Sequence, residues 1–187
     1  MISVSNDKIK LNPTELKLRL GGMPIDNLEA EIAKAEKELF KVLNCSYHYV
    51  KTNVTIFADG IDLGFGKIPS LNLKKNLENC AEAYVFGATL GFGVDRLLRT
   101  EALRSPLNHY IMDAVASTAI EALCDYAQST LPPTMARFSC GYGDFDITNQ
   151  KNILEFINGT KELGITLSES FLMTPTKSVT AIMGIKK

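Results

Sequence analysis

The sequence predicts an α+β fold, a twisted mixed or antiparallel sheet flanked by helices. Three observations predict it. Strand-like and helix-like segments are partly segregated along the chain instead of alternating regularly. Short runs of β-formers meet turn signals such as Asp59-Gly60, which point to hairpins. Two long stretches carry apolar residues at helical spacing. The chain has 187 residues, a length that suits one domain. At 45% hydrophobic residues it can fill a sizeable core. We expect a single domain over 1–187, with a helix-plus-hairpin region over 1–82 and a core region over 83–187.

Asp26-Asn27 offers a cap for a helix running to about Leu43. Leu28, Ile32, Ala35, Leu39 and Val42 share one face of it, with Glu and Lys on the other. The alternation of Tyr47 and Tyr49, then Val54 and Ile56, predicts a strand over 47–57. Asp59-Gly60 turns the chain, and 61–65 returns as the second hairpin strand. Ser70 can cap a short helix to Leu77. Residues 83–89 read as a buried strand. Gly91-Phe92-Gly93-Val94-Asp95 then opens a helix to about Leu103.

A longer helix is predicted over 107–130, with Ile111, Val115, Ala119, Ala122 and Tyr126 on its apolar face. Ala114, Ala116, Ser117, Thr118 and Ala119 keep its middle slim, and Pro132-Pro133 ends it. Ile153, Leu154, Phe156 and Ile157 mark a helix over 148–163, with Gly164 as its cap. Residues 165–170 and 178–185 read as two last strands around Pro175.

Composition excludes several function classes. Net charge is −1 and no basic block occurs, since Lys74-Lys75 and Lys186-Lys187 are isolated pairs. Nothing there would recruit nucleic acid. The N-terminus lacks a basic start followed by an apolar run. The uncharged stretch over 83–94 is too short to span a bilayer. We therefore expect a cytoplasmic protein with no membrane and no nucleic-acid partner. Cys45, Cys80, Cys124 and Cys140 form no C-x-x-C pair, and His48 and His109 lie far apart, so no metal site is expected. No nucleophile stands with a base, and we expect no catalytic acid–base set.

The chemistry concentrates in Arg137-Phe138-Ser139-Cys140-Gly141-Tyr142-Gly143-Asp144. Arg137 offers a planar fork of donors for a carboxylate or phosphate. Gly141 and Gly143 allow a tight turn and close approach of a ligand to the backbone. Tyr142 adds a flat ring and a hydroxyl. Paired against Asp144 or Asp146, Arg137 would instead be structural. Cys140 reads as a tolerated small residue, since no base is evident near it. Glu169 could receive an ammonium group or a ribose hydroxyl, or be a structural acid. Gly87-Ala88-Thr89-Leu90-Gly91-Phe92-Gly93 has neither dinucleotide-binding nor P-loop spacing, and packing is its better reading.

The Arg-x-x-x-Gly-Tyr pattern resembles the S-adenosylmethionine-binding motif of the activation, or reactivation, domain of cobalamin-dependent methionine synthase. Leu167-Ser168-Glu169-Ser170-Phe171-Leu172-Met173-Thr174-Pro175-Thr176-Lys177-Ser178-Val179 resembles that domain's L-T-E-S-x-x-M-x-P-x-x-S-V run, in the same order along the chain. The resemblance covers roughly 83–185, making that region an activation-domain-like core. It implies the same fold class and a ligand, S-adenosylmethionine, with Arg137 on the methionine carboxylate and Gly141 and Tyr142 supplying backbone and ring contacts. Asp113 matches an acidic position near the ligand, while the second acidic position one turn later is Ser117 here. Cys140 stands where the family usually has proline.

The resemblance further implies a partner. In that family the domain holds S-adenosylmethionine so that its methyl faces a cobalamin on another module. The oxidised cob(II)alamin takes an electron from flavodoxin or another donor, and the cobalt then takes the methyl. No D-x-H-x-x-G motif for cobalt occurs in this chain. A free-standing reactivation subunit docking on a separate cobalamin-dependent synthase is therefore expected. A non-catalytic binding module of the same fold and an independent S-adenosylmethionine-dependent methyltransferase remain as alternatives.

Overall fold

A computed structural model of the protein describes residues 1–22 and 26–186; Lys187 of the terminal lysine pair lies outside the described residues. The first half of the chain runs β1 (Ile2–Ser3), α1 (Pro13–Arg19), α2 (Leu28–Val42), β2 (Ser46–Asn53), β3 (Thr55–Phe57), β4 (Gly60–Asp62), β5 (Lys67–Ile68) and α3 (Leu71–Leu77). The second half runs β6 (Glu82–Thr89), α4 (Phe92–Arg104), α5 (Pro106–Ser129), α6 (Asn149–Phe156), α7 (Gly159–Leu163), β7 (Thr166–Leu167), β8 (Met173–Thr174) and β9 (Ser178–Gly184).

The central sheet has the order β1-β2-β6-β9, and every neighbouring pair is antiparallel. β6 lies at its centre because it is apolar on both faces. Side chains alternate across a strand, so Tyr84, Phe86 and Ala88 join one core while Ala83 and Val85 join another. The first core is closed by α1, α2, α4 and α5 through Leu16, Leu39, Leu98, Val115 and Leu123. The second is closed by β4, α3, α6 and α7 through Ile61, Leu73, Ile153 and Leu163. Helices thus cover both faces of an antiparallel sheet, the α+β class expected.

Several elements differ from the sequence pattern for local physical reasons. The predicted strand over 47–57 is two strands in two sheets. It breaks at Val54, whose N–H donates to Ala81 O. Phe57 pairs with Gly60, so Ala58 and Asp59 form the turn in place of Asp59-Gly60. The return strand stops at Asp62, because the Asp62 carboxylate accepts the N–H groups of Gly64 and Gly66 and folds β5 back onto β4. A Cβ at Gly60 would lie 2.2 Å from Ile68 O, so only glycine permits that pairing.

Asn27 does not cap α2 with its side chain. It adopts φ 53° and accepts the N–H groups of Ala30 and Glu31 through its own carbonyl. Ser70 and Ser105 do cap by side chain, α3 through Leu73 N–H and α5 through Asn108 N–H. The helix predicted over 148–163 is split in two by Asn158 at φ 51°. The strand predicted over 165–170 shortens to Thr166–Leu167. Beyond it Ser168 donates to Leu172 O and accepts Leu172 N–H on its hydroxyl, closing a tight loop with Phe171 at φ 61°.

The glycine turn between β6 and α4 packs closely. A Cβ at Gly87 would meet Ile157 at 2.8 Å, and one at Gly93 would meet Val42 O at 2.5 Å. These glycines let α7 and the end of α2 approach the sheet and α4.

Candidate functional site

Arg137 is placed by the free edge of β9. Met135 N–H donates to Gly184 O, and Phe138 exchanges backbone hydrogen bonds with Ile182. Segment 134–138 therefore continues the sheet as a short extended edge. Phe138 turns into the second core and stacks on Phe145, with ring centroids 6.2 Å apart. Its neighbour Arg137 consequently turns the other way, toward α5.

There the guanidinium meets three side chains of α5. Nη1 donates to Gln128 Oε1 at 2.9 Å. Nη2 donates to Glu121 Oε2 at 3.1 Å and to Asp125 Oδ1 at 2.9 Å. The acids that pair Arg137 are thus on the helix, and not Asp144 or Asp146. Glu121, which pairs outside its own helix, is one of them. Burial works against the Arg137 cation, the α5 carboxylates favour it, and the balance lies above the ordinary arginine value. Gln128 is held in turn, since its amide donates to Thr134 Oγ1 at 2.8 Å and to Met135 O at 3.1 Å.

Arg137, Tyr142, Ser139, Gln128, Glu121 and Asp125 line one cleft of about 430 Å³. Three of the five guanidinium donors are engaged with α5, and the other two have no hydrogen-bond partner among the described residues. Tyr142 is 69% exposed at the rim. Gly141 has φ 87°, and its N–H donates to Phe145 O at 2.7 Å. That amide is spent inside the loop, and Gly141 itself does not line the cleft.

Asp144 anchors this loop to a distant part of the chain. Its carboxylate accepts from Ser70 Oγ at 2.5 Å, Leu71 N–H at 2.7 Å and Asn72 N–H at 3.1 Å, closing the N-terminus of α3. The Ser70 hydroxyl first, and then those amides, hold its carboxyl below the usual carboxylate range. Asp146 accepts from Thr148 N–H and Oγ1.

The other expected site residues lie apart from this cleft. Cys140 is buried in the second core beneath the loop, where burial pushes its thiol up to about 12. Glu169 is exposed in the β7–β8 loop, outside any strand. Asp113 lies two helical turns before Glu121 on α5, where it pairs with Lys177 Nζ at 2.7 Å. Lys177 also donates to Ser117 Oγ at 2.8 Å. Glu121, Asp125 and Gln128 line the cleft without having been expected there. The available signal was the four-residue spacing of polar positions 113, 117, 121 and 125 in an otherwise apolar helix. Among the described residues, no group of three His, Cys, Asp or Glu is placed to hold a metal ion. No described helix is long and apolar enough to cross a membrane.

No protein-family model matches the sequence, and no curated protein matches it. Among solved structures it is similar to the crystal structure of the MetH reactivation domain bound to AdoHcy, with a TM-score of 0.68. The superposition covers 98% of this chain and 77% of that one, at 16% identity. The fold is that of the MetH reactivation domain. The reactivation-domain fold extends over both halves of this chain, beyond the 83–185 region that carries the sequence resemblance.

Proposed function

We propose that this chain is a reactivation-type module that binds S-adenosylmethionine in the Arg137 cleft. The observation that carries the reading is the convergence of Arg137 and Tyr142 on one cleft, within a fold shared with a domain bound to AdoHcy. The cleft has the chemistry for an α-amino acid end. Two guanidinium donors remain for the carboxylate, and Glu121 and Asp125 stand beside them for the ammonium. The Tyr142 ring is exposed for stacking or a hydrogen bond. Asp113 and Glu169 would contact more distant parts of the ligand, and Cys140 would shape the loop from beneath.

The same proposal makes the chain a free-standing partner of a cobalamin-dependent methionine synthase, in the cytoplasm, with flavodoxin or another electron donor. The bound cobalamin of that partner would supply the methyl acceptor in the reductive methylation of cob(II)alamin. This chain's residues would bind the methyl donor, orient it and balance its charge. Independent methyl transfer to a small molecule would call for a base or an activated nucleophile. The buried Cys140 thiol, pushed up to about 12, does not supply one.

Reconstitution tests the proposal. A cobalamin-loaded synthase lacking its own reactivation domain, poised as cob(II)alamin with S-adenosylmethionine and a reductant, is followed by its visible spectrum. Addition of this chain should restore methylcobalamin, and addition of Arg137→Ala should not. No conversion with the wild-type chain, despite S-adenosylmethionine binding to it, would contradict the reactivation role and leave a binding module.

A further inference from the structure

The face of α5 that borders the cleft carries a polar stripe. Asp113, Ser117, Glu121 and Asp125 follow one another at four-residue intervals, the spacing that stacks side chains along one side of a helix. Most of the rest of this stretch is buried and apolar, with Ala114, Val115, Ala119 and Leu123 in the first core. Two cations from outside the helix meet the stripe. Lys177 meets Asp113 and Ser117 at one end, and Arg137 meets Glu121 and Asp125 at the other.

The charges do not cancel. Three carboxylates face two cations, which leaves one excess negative charge. Its location follows from the pairing. Lys177 serves a single carboxylate, whereas Arg137 is shared by two. The excess therefore lies at the Glu121–Asp125 end, on the cleft. Of that pair, Asp125 is 71% exposed and Glu121 only 35% exposed. Water and salt screen the first more than the second. Glu121 is the carboxylate best placed to impose a charge preference on an occupant.

Given the S-adenosylmethionine assignment proposed above, on which this rests, we infer that Glu121 is a specificity-determining residue that selects the sulfonium ligand over its demethylated thioether, S-adenosylhomocysteine. The amino acid end of both molecules is a zwitterion and carries no net charge. The sulfonium adds one positive charge, which matches the excess on the groove. The thioether lacks it. Loss of the methyl thus removes the charge that held the ligand, and the cleft favours exchange of product for fresh methyl donor.

Calorimetric titration of S-adenosylmethionine and S-adenosylhomocysteine into the wild type, Glu121→Gln and Lys177→Met, at low and high salt, tests the inference. The wild type should prefer the sulfonium on the order of fivefold at low salt, with the preference shrinking as salt rises. Glu121→Gln should bring the ratio of the two affinities to about one, weakening S-adenosylmethionine more than S-adenosylhomocysteine, since both lose a partner for the ammonium and only the sulfonium loses its charge balance. Lys177→Met, which uncovers Asp113, should raise the ratio. Equal affinities in the wild type, or a Glu121→Gln loss of equal size for both ligands that leaves their ratio unchanged, would overturn the selectivity role while leaving the binding assignment intact. Failure of both ligands to bind the wild type would remove the binding assignment and this inference with it.

Discussion

Gln128 Oε1 accepts a hydrogen bond from Arg137 Nη1 at 2.9 Å, and the same Gln128 amide is tied to Thr134 and Met135. The helix thereby fixes its own partner strand segment and the cation of the cleft through one side chain. Gln128→Met keeps the length and loses both roles. With a neutral hydrogen bond worth about 1 kcal/mol, ligand affinity should fall about three- to tenfold while Arg137 keeps its two carboxylates. Titration of S-adenosylmethionine into that variant checks this, and unchanged affinity would mean Gln128 does not order the guanidinium.

The loop's attachment to α3 predicts a pH dependence. Asp144 has a folded-state pKa below its ordinary 3.8, chiefly through the Ser70 hydroxyl. A carboxyl depressed on folding contributes stability that is complete above its unfolded pKa and is lost as pH falls through the folded one. Below about pH 4, Tm of the wild type should therefore drop with a component that Asp144→Asn lacks. Parallel acid limbs for the two proteins would contradict the anchoring role.

The glycine turn before α4 predicts a pure packing defect. A Cβ at Gly93 would lie 2.5 Å from the Val42 carbonyl, a backbone atom that cannot swing aside. Gly93→Ala should cost about 1–3 kcal/mol and lower Tm by about 2–4 °C for each. Ligand affinity at 20 °C should stay unchanged. A loss of affinity without loss of Tm would instead assign the turn to ligand binding.

Cys140 should be inert despite its place in the motif. Burial pushes its thiol to about 12 and that of Cys45 to about 11, so neither is a thiolate near pH 8. Ellman's reagent should label neither in the native protein, and both on addition of denaturant. Rapid native labelling of Cys140, located by peptide mass, would show the loop open enough to expose it.

The fold was legible where one physical signal dominated. α5 shows helical spacing over 24 residues, and its Ser105 cap and the following Pro106 mark its start. β6 is a continuous apolar run that can only be central. The break at Val54 and the split at Asn158 were not legible, because each depends on a backbone partner distant in sequence or on a left-handed residue that is not glycine. The same holds for the site. Arg137, Gly141 and Tyr142 stand out locally, but the carboxylates that meet Arg137 lie 12 and 16 residues away on a helix whose dominant sequence signal is its apolar face. Asp144 looked like a partner for Arg137 by proximity, whereas its contacts are with Ser70, Leu71 and Asn72, more than 70 positions earlier.

The most direct test of the account is calorimetric titration of S-adenosylmethionine into the wild type and Arg137→Ala, with folding of both confirmed by their thermal transitions. Saturable binding to the wild type, abolished in a folded Arg137→Ala, is the predicted result. Equal affinity for the two proteins would contradict the assignment of the cleft, and no binding to the wild type, alone or with a cobalamin-loaded synthase present, would contradict S-adenosylmethionine as its ligand.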